Sequence, residues 1–172
     1  MNNRHLLQIL LLLLTLGFAL TPFFNQKPPL CEFRYESELG EHIGGGSSGR
    51  YGPSEASFSL TGNLHELTFA LKSQAGYWNV RLTAPTGEKL HTGHYDSVAL
   101  HTGYTGELPV LAVVSNGAEC DTLMGSFIIN QITTDTAGAV TALDVMFTQR
   151  CESATAPQLH GSIKYNVANL GQ

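Results

Sequence analysis

"FIINQITTDTAGAVTALDVMF", residues 127–147, decides the fold class. In the second arm Leu143, Val145 and Phe147 alternate with Asp144 and Met146, and both "FIINQIT" and "VTALDVMF" have the composition of strands. A period of two lays one apolar face along an extended chain. Between the arms, "TDTAG" supplies the Asp and Gly that tight turns use. The stretch reads as a β-hairpin. With the turn centred between Thr136 and Ala137, paired positions sum to about 273, to the accuracy that sequence register allows. Cys120 then faces position 153 and Cys151 faces 122, just past the open end of the hairpin.

Two cysteines so placed form a disulfide in an oxidising compartment. A reactive thiolate needs an electropositive setting, whereas Cys120 lies between Glu119 and Asp121 and Cys151 precedes Glu152. The expectation is a local, structural Cys120–Cys151 bridge. Cys31, the third cysteine, is left as an unpaired thiol or an intermolecular partner. Leu30 before it is too large for a lipoprotein signal, so lipidation is not expected.

The same periodicity extends outward. Trp78, Val80, Leu82 and Ala84 fall on one side of a strand, with Asn79, Arg81 and Thr83 on the other. Leu67, Phe69 and Leu71 make a second half-buried strand, and Pro85 and Gly87 in "APTGEK" set a turn. Phe58/Leu60, Val110 to Val114 and Ile163/Tyr165 are shorter candidates. Gly, Pro, Asn or Asp interrupts the pattern every 8–12 residues or so, the spacing of a sandwich or barrel. From Glu32 onward no convincing helix and no repeat is visible. The fold class is all-β: an antiparallel β-sandwich, jelly-roll or Ig-like, over 32–167, with a short tail at 168–172.

Ahead of it, Arg4 precedes the apolar run Leu6 to Leu20, and Gly17-Phe18-Ala19 offers a cleavage site. This is the pattern of a secretory signal peptide over 1–19. The alternative is an uncleaved anchor over 6–24, which Pro22 interrupts and which barely reaches the roughly 20 residues a span needs. Either way the body is exported, secreted or periplasmic, or membrane-anchored outside the cytoplasm, since Arg4 holds the N-terminus inside. "TPFFNQKPPL" is an extended tether within 20–31. The chain carries 14 acids against nine Lys and Arg, and removing Arg4 takes its formal charge from −5 to −6. No basic cluster exists, so nucleic acid and anionic lipid are not expected partners, and the membrane enters only through the N-terminal segment if that is uncleaved. The absence of an Asn-x-Ser/Thr sequon suits a bacterial secreted protein.

Candidate chemistry is thin. Gly45-Gly46-Ser47-Ser48-Gly49 matches the G-x-S-x-G nucleophile elbow, but no helix can follow it, so "GGGSSGRYGPSEASF" reads as a flexible loop. His91, His94 and His101 flank Asp96, a candidate zinc cluster. On a strand His91 and His94 point to opposite faces, so no metal site is expected unless a turn at Gly93 makes them converge. Glu36, Glu38 and Glu41, beside His42, offer paired acids or calcium ligands; alternating acids on a solvated strand face is the simpler reading. No cofactor is implied and no catalytic residue is assigned. The favoured function is a non-catalytic binding or structural module with an unknown envelope or extracellular ligand. The alternative is a hydrolase using Glu36, Glu38, Glu41 or Asp96.

In order along the chain, "ELGEHIGGG" (38–46), "YWNVRLTAPTGEKLHTGHY" (77–95), "NGAECDTLMGSFII" (116–129), "VMFTQRCE" (145–152) and "LHGSIKYN" (159–166) resemble a family of exported bacterial proteins, a β-sandwich domain of unknown function. The resemblance spans nearly all of the exported part. It implies that Trp78 is a core tryptophan, Pro85 and Gly87 a turn, and Cys120 with Cys151 a cysteine pair. Gly125, Phe127, Phe147 and Gly161 become framework, while His42 departs from the pattern. No activity follows from it, and fold does not dictate function.

Overall fold

The computed structural model describes residues 30–99 and 105–167. The expected signal peptide or anchor, the expected tether up to residue 29, His101 and the 168–172 tail lie outside them. Ten strands run in chain order: β1 (Leu30–Ser37), β2 (Ser48–Tyr51), β3 (Ala56–Gly62), β4 (Glu66–Ser73), β5 (Gly76–Thr83), β6 (Gly93–Asp96), β7 (Val110–Ser115), β8 (Leu123–Thr134), β9 (Val140–Cys151) and β10 (Gln158–Val167). No helix occurs among the described residues. A six-stranded sheet has the order β2-β1-β10-β9-β8-β6, and a four-stranded sheet the order β3-β4-β5-β7. All neighbouring strands are antiparallel. Two such sheets sharing one core are consistent with a β-sandwich. The first strand begins at Leu30, so Cys31 belongs to the sheet and not to the tether.

Period-two alternation builds that core. Leu67, Phe69, Leu71, Trp78, Val80 and Leu82 come from the four-stranded sheet; Phe33, Phe127, Ile129, Leu143, Val145, Phe147 and Ile163 come from the other. Phe33 lies 5.8 Å from Phe69 and 5.2 Å from Trp78, ring centre to ring centre, which ties the sheets together. Burying each such side chain contributes roughly 1.5–3 kcal/mol.

β8 and β9 form the expected hairpin. Their turn, 135–139, is held by Asp135, whose Oδ1 accepts the Ala137 and Ala139 N–H groups at 2.9 and 3.0 Å, and Gly138 takes the positive φ of 86°. The register differs from the expected one by a residue: Leu123, not position 122, faces Cys151. The turn centres on Ala137, and Asn130 is skipped in the ladder, shifting the pairing again beyond Ile129. Cys120 and Cys151 are nonetheless bonded, with α-carbons 5.1 Å apart. Cys120 lies just ahead of the bend at 121–122 that leads into β8, past the open end of the hairpin.

The "GGGSSGRY" stretch is also better ordered than its composition suggests. Ser48–Tyr51 is a strand, paired with β1. The turn before it is fixed by Glu41, which is only 3% exposed and so does not belong to a solvated face. Its carboxylate accepts the N–H groups of Ile43 (2.9 Å) and Gly44 (2.6 Å) and the Ser37 hydroxyl (2.7 Å). A buried acceptor that satisfies three donors organises a loop in place of an apolar core.

Candidate functional site

The six-stranded sheet turns every second residue away from the core, and register aligns these outward residues into rows. One row crosses all six strands: Ser48, Glu36, His160, Thr148, Ser126 and Asp96. The next is Arg50, Arg34, Ser162, Met146, Ile128 and His94. A third contains Glu32, Lys164 and Asp144. A hollow of about 450 Å³ lies over the first two rows, lined by Arg34, Glu36, Ile128, Met146, Thr148 and His160 among others. It continues into a second of about 290 Å³ over the third row, and Arg34, Met146 and Ser162 line both. Together they form one groove across the strands.

The floor of the groove is aliphatic, with Met146 46% exposed beside the half-buried Ile128. Its rim is polar, and Ser126 and Thr148 hydroxyls lie 3.2 Å apart. Gly161 lies under it: a β-carbon there would enter the Phe147 ring, so glycine lets the aromatic fill the core beneath the groove.

Charge concentrates at one end. Arg34 and Arg50 face each other across β1 and β2, which would repel if Glu32 did not stand between them. Glu32 accepts from Arg34 Nε at 2.5 Å and from Arg50 Nη2 at 2.5 Å. Burial pushes the Glu32 carboxyl up, but hydrogen bonds and charge from the two guanidiniums outweigh it and hold its pKa below the ordinary value. This trio went unseen in the sequence. Glu32 and Arg34, two apart on one strand, were a visible signal; Arg50 was not.

The acids named from sequence do not meet. Glu36 and Asp96 lie in the first row on β1 and β6, four strand spacings apart, or roughly 19 Å. Paired glycosidase carboxyls need about 5–9.5 Å. Glu38 accepts the Gln158 N–H at 2.7 Å and faces Arg150 at 3.7 Å, and Glu41 is spent on its loop. Glu32 and Asp144 do share the second hollow, with Lys164 between them. A general acid needs a raised pKa, and that of Glu32 is lowered.

His91 sits in the turn before β6, its ring Nδ1 2.8 Å from the Thr92 carbonyl oxygen, and its backbone N–H donates to the Tyr95 hydroxyl at 2.8 Å. His94 and Asp96 belong to the outer face of β6. Among the described residues no three His, Cys, Asp or Glu side chains gather as a metal site; His101 lies outside them. Ser47, of the G-x-S-x-G match, donates to the Gly44 carbonyl at 2.5 Å and lies 3.1 Å from the Tyr35 hydroxyl, with a strand following it. Cys31 is a free thiol on β1; its Sγ accepts the Asn166 N–H at 3.4 Å.

No protein-family model, curated protein or solved structure matches the chain.

Proposed function

We propose that the chain is the jelly-roll or Ig-like body of an exported protein, acting as a non-catalytic binding module whose recognition surface is the outer face of the six-stranded sheet. The groove over the rows of Glu36–His160–Thr148–Ser126 and Arg34–Ser162–Met146–Ile128 carries this reading. Its volume falls in the range of ligand pockets, roughly 300–1,000 Å³. An aliphatic floor with hydroxyl, imidazole, carboxylate and guanidinium groups on its rim suits a polar, chain-like ligand with an aliphatic portion. Export is supported by Arg4 with the run Leu6 to Leu20 and by the Cys120–Cys151 bridge, which belongs in an oxidising compartment. The order of the sequence segments supports placement in the exported bacterial family described above.

Nuclear magnetic resonance of the labelled protein, titrated with soluble oligosaccharides and with extended peptides, tests the reading. A bound ligand is expected to shift the amides of Ser126, Ile128, Met146, Thr148, His160 and Ser162. Met146→Glu abolishes those shifts and leaves the melting temperature unchanged. Saturable binding at the sandwich ends instead, such as the 38–47 loop, sinks the proposal. Hydrolysis of a ligand that Glu36→Gln abolishes replaces it with the hydrolase reading.

A further inference from the structure

The four-stranded sheet ends in β3, whose sequence "ASFSLTG" contains no charge and no proline. β3 pairs with β4 alone. From Ser57 to Thr61 no described residue makes a backbone hydrogen bond to its other side. Only past Gly62, where φ is 114°, does a bridge from Asn63 to Ala139 cover the end of the strand.

The other sheet edges are guarded. β2 is four residues long and carries Arg50; β6 is four residues long and carries His94 and Asp96. β7 is met at its start by Ala99, which accepts the Leu111 N–H at 3.2 Å. Natural sheets protect edges by such shortness, charge, proline or cover, because an open row of N–H and C=O groups templates another strand. β3 has none of these over six consecutive residues, 56–61.

Its side chains are also self-complementary. Phe58 and Leu60 are half-buried, packed on the core at the rim of the sheet, with the Phe58 ring 5.9 Å from Phe69. Ser57, Ser59 and Thr61 are exposed on the opposite face. We infer that β3 is a strand-addition edge whose occupant is β3 of a second copy, antiparallel about a two-fold axis at Phe58. That register sets Phe58 against Phe58, Ala56 against Leu60 and Ser57 against Ser59, leaving Gly62 and the Ala139 bridge outside. Apolar residues meet on the core face and hydroxyls on the outer face, the pairs that stabilise antiparallel ladders. No like charges face each other, and the closed two-fold contact consumes both open edges. The two four-stranded sheets become one of eight.

The test uses protein isolated from its exporting host with Cys31→Ser, so that no dimer can form through that thiol. Sedimentation equilibrium should show a reversible doubling of mass as concentration rises. Ser57→Glu/Ser59→Glu places carboxylates opposite one another across the pair; both sites are exposed and within the copy face Lys72 and Ala70, so the fold and its circular dichroism should be unchanged while the doubling is lost. Ser57→Cys/Ser59→Cys should cross-link on mild oxidation, with residue 57 of one copy joined to 59 of the other by peptide mapping. A monomer at every concentration, a dimer that tolerates the paired glutamates, or cross-links in another register would each overturn the inference.

Discussion

At the residue scale, Glu32 is the most heavily committed charge on the outer face of the large sheet. It lies between two guanidiniums that are themselves largely exposed, with side-chain exposures of 52% for Arg34 and 66% for Arg50. Partial exclusion of water works against the carboxylate, but hydrogen bonds and charge from the two guanidiniums outweigh that cost and favour the ionised form. Its folded-state pKa lies below the ordinary value of 4.5, so the folded chain binds fewer protons there than the unfolded chain. The contribution to stability is therefore complete above the unfolded pKa and fades as pH falls through the lower, folded value. Urea unfolding from about pH 6 to about pH 3 should show stability declining on the acid side. Glu32→Gln should flatten that part of the profile and cost about 1–2 kcal/mol at neutral pH, between an exposed pair and a buried one. An unaltered profile in Glu32→Gln would mean that other carboxylates carry the acid sensitivity.

At the scale of elements, β8 and β9 carry the structural bridge. Cys120 and Cys151 are separated by 31 positions in the chain. Closing a loop of that size restricts the unfolded ensemble by roughly 3–4 kcal/mol in the chain-entropy account. Cys120→Ser should lower the melting temperature by on the order of 10 °C. Cys120→Ser/Cys151→Ser should be hardly worse than either single variant, because both remove the same constraint, and Cys31→Ser should change little. Protein from the native compartment should give Cys120 linked to Cys151 on non-reducing peptide mapping; Cys31 linked to either would contradict the placement. The hairpin was legible in sequence because alternation and turn chemistry are local. Its register was missed by one residue because a turn centred on Ala137 leaves no periodic trace; the skips at Asn130 and Thr141 offset each other before the cysteine end. Glu41 was misplaced for a related reason: its partners are backbone N–H groups of a turn, which side-chain patterning does not reveal. The groove depends on alignment across six strands far apart in the chain, and no single segment announces it.

At the scale of the whole molecule, the question is whether two sheets behave as one body. The buried residues of both form a single cluster, which includes the chain's one tryptophan, Trp78. It belongs to β5 of the smaller sheet but packs on Phe33 and Tyr35 of β1, with ring centres 5.2 and 4.4 Å away. Trp78 is 4% exposed, so its fluorescence reports the seam between the sheets and not either sheet alone. Far-ultraviolet circular dichroism reports the strands of both. If the shared core makes unfolding cooperative, the two signals must move together through one transition. We expect coincident denaturant midpoints and equal slopes. The smaller sheet has no disulfide, so independent behaviour would appear as an early fluorescence change with most of the dichroism retained. Reducing the Cys120–Cys151 bond should then shift only the later transition. In a cooperative body it must instead lower both midpoints equally, because a constraint on the unfolded chain of one sheet is felt by everything that folds with it.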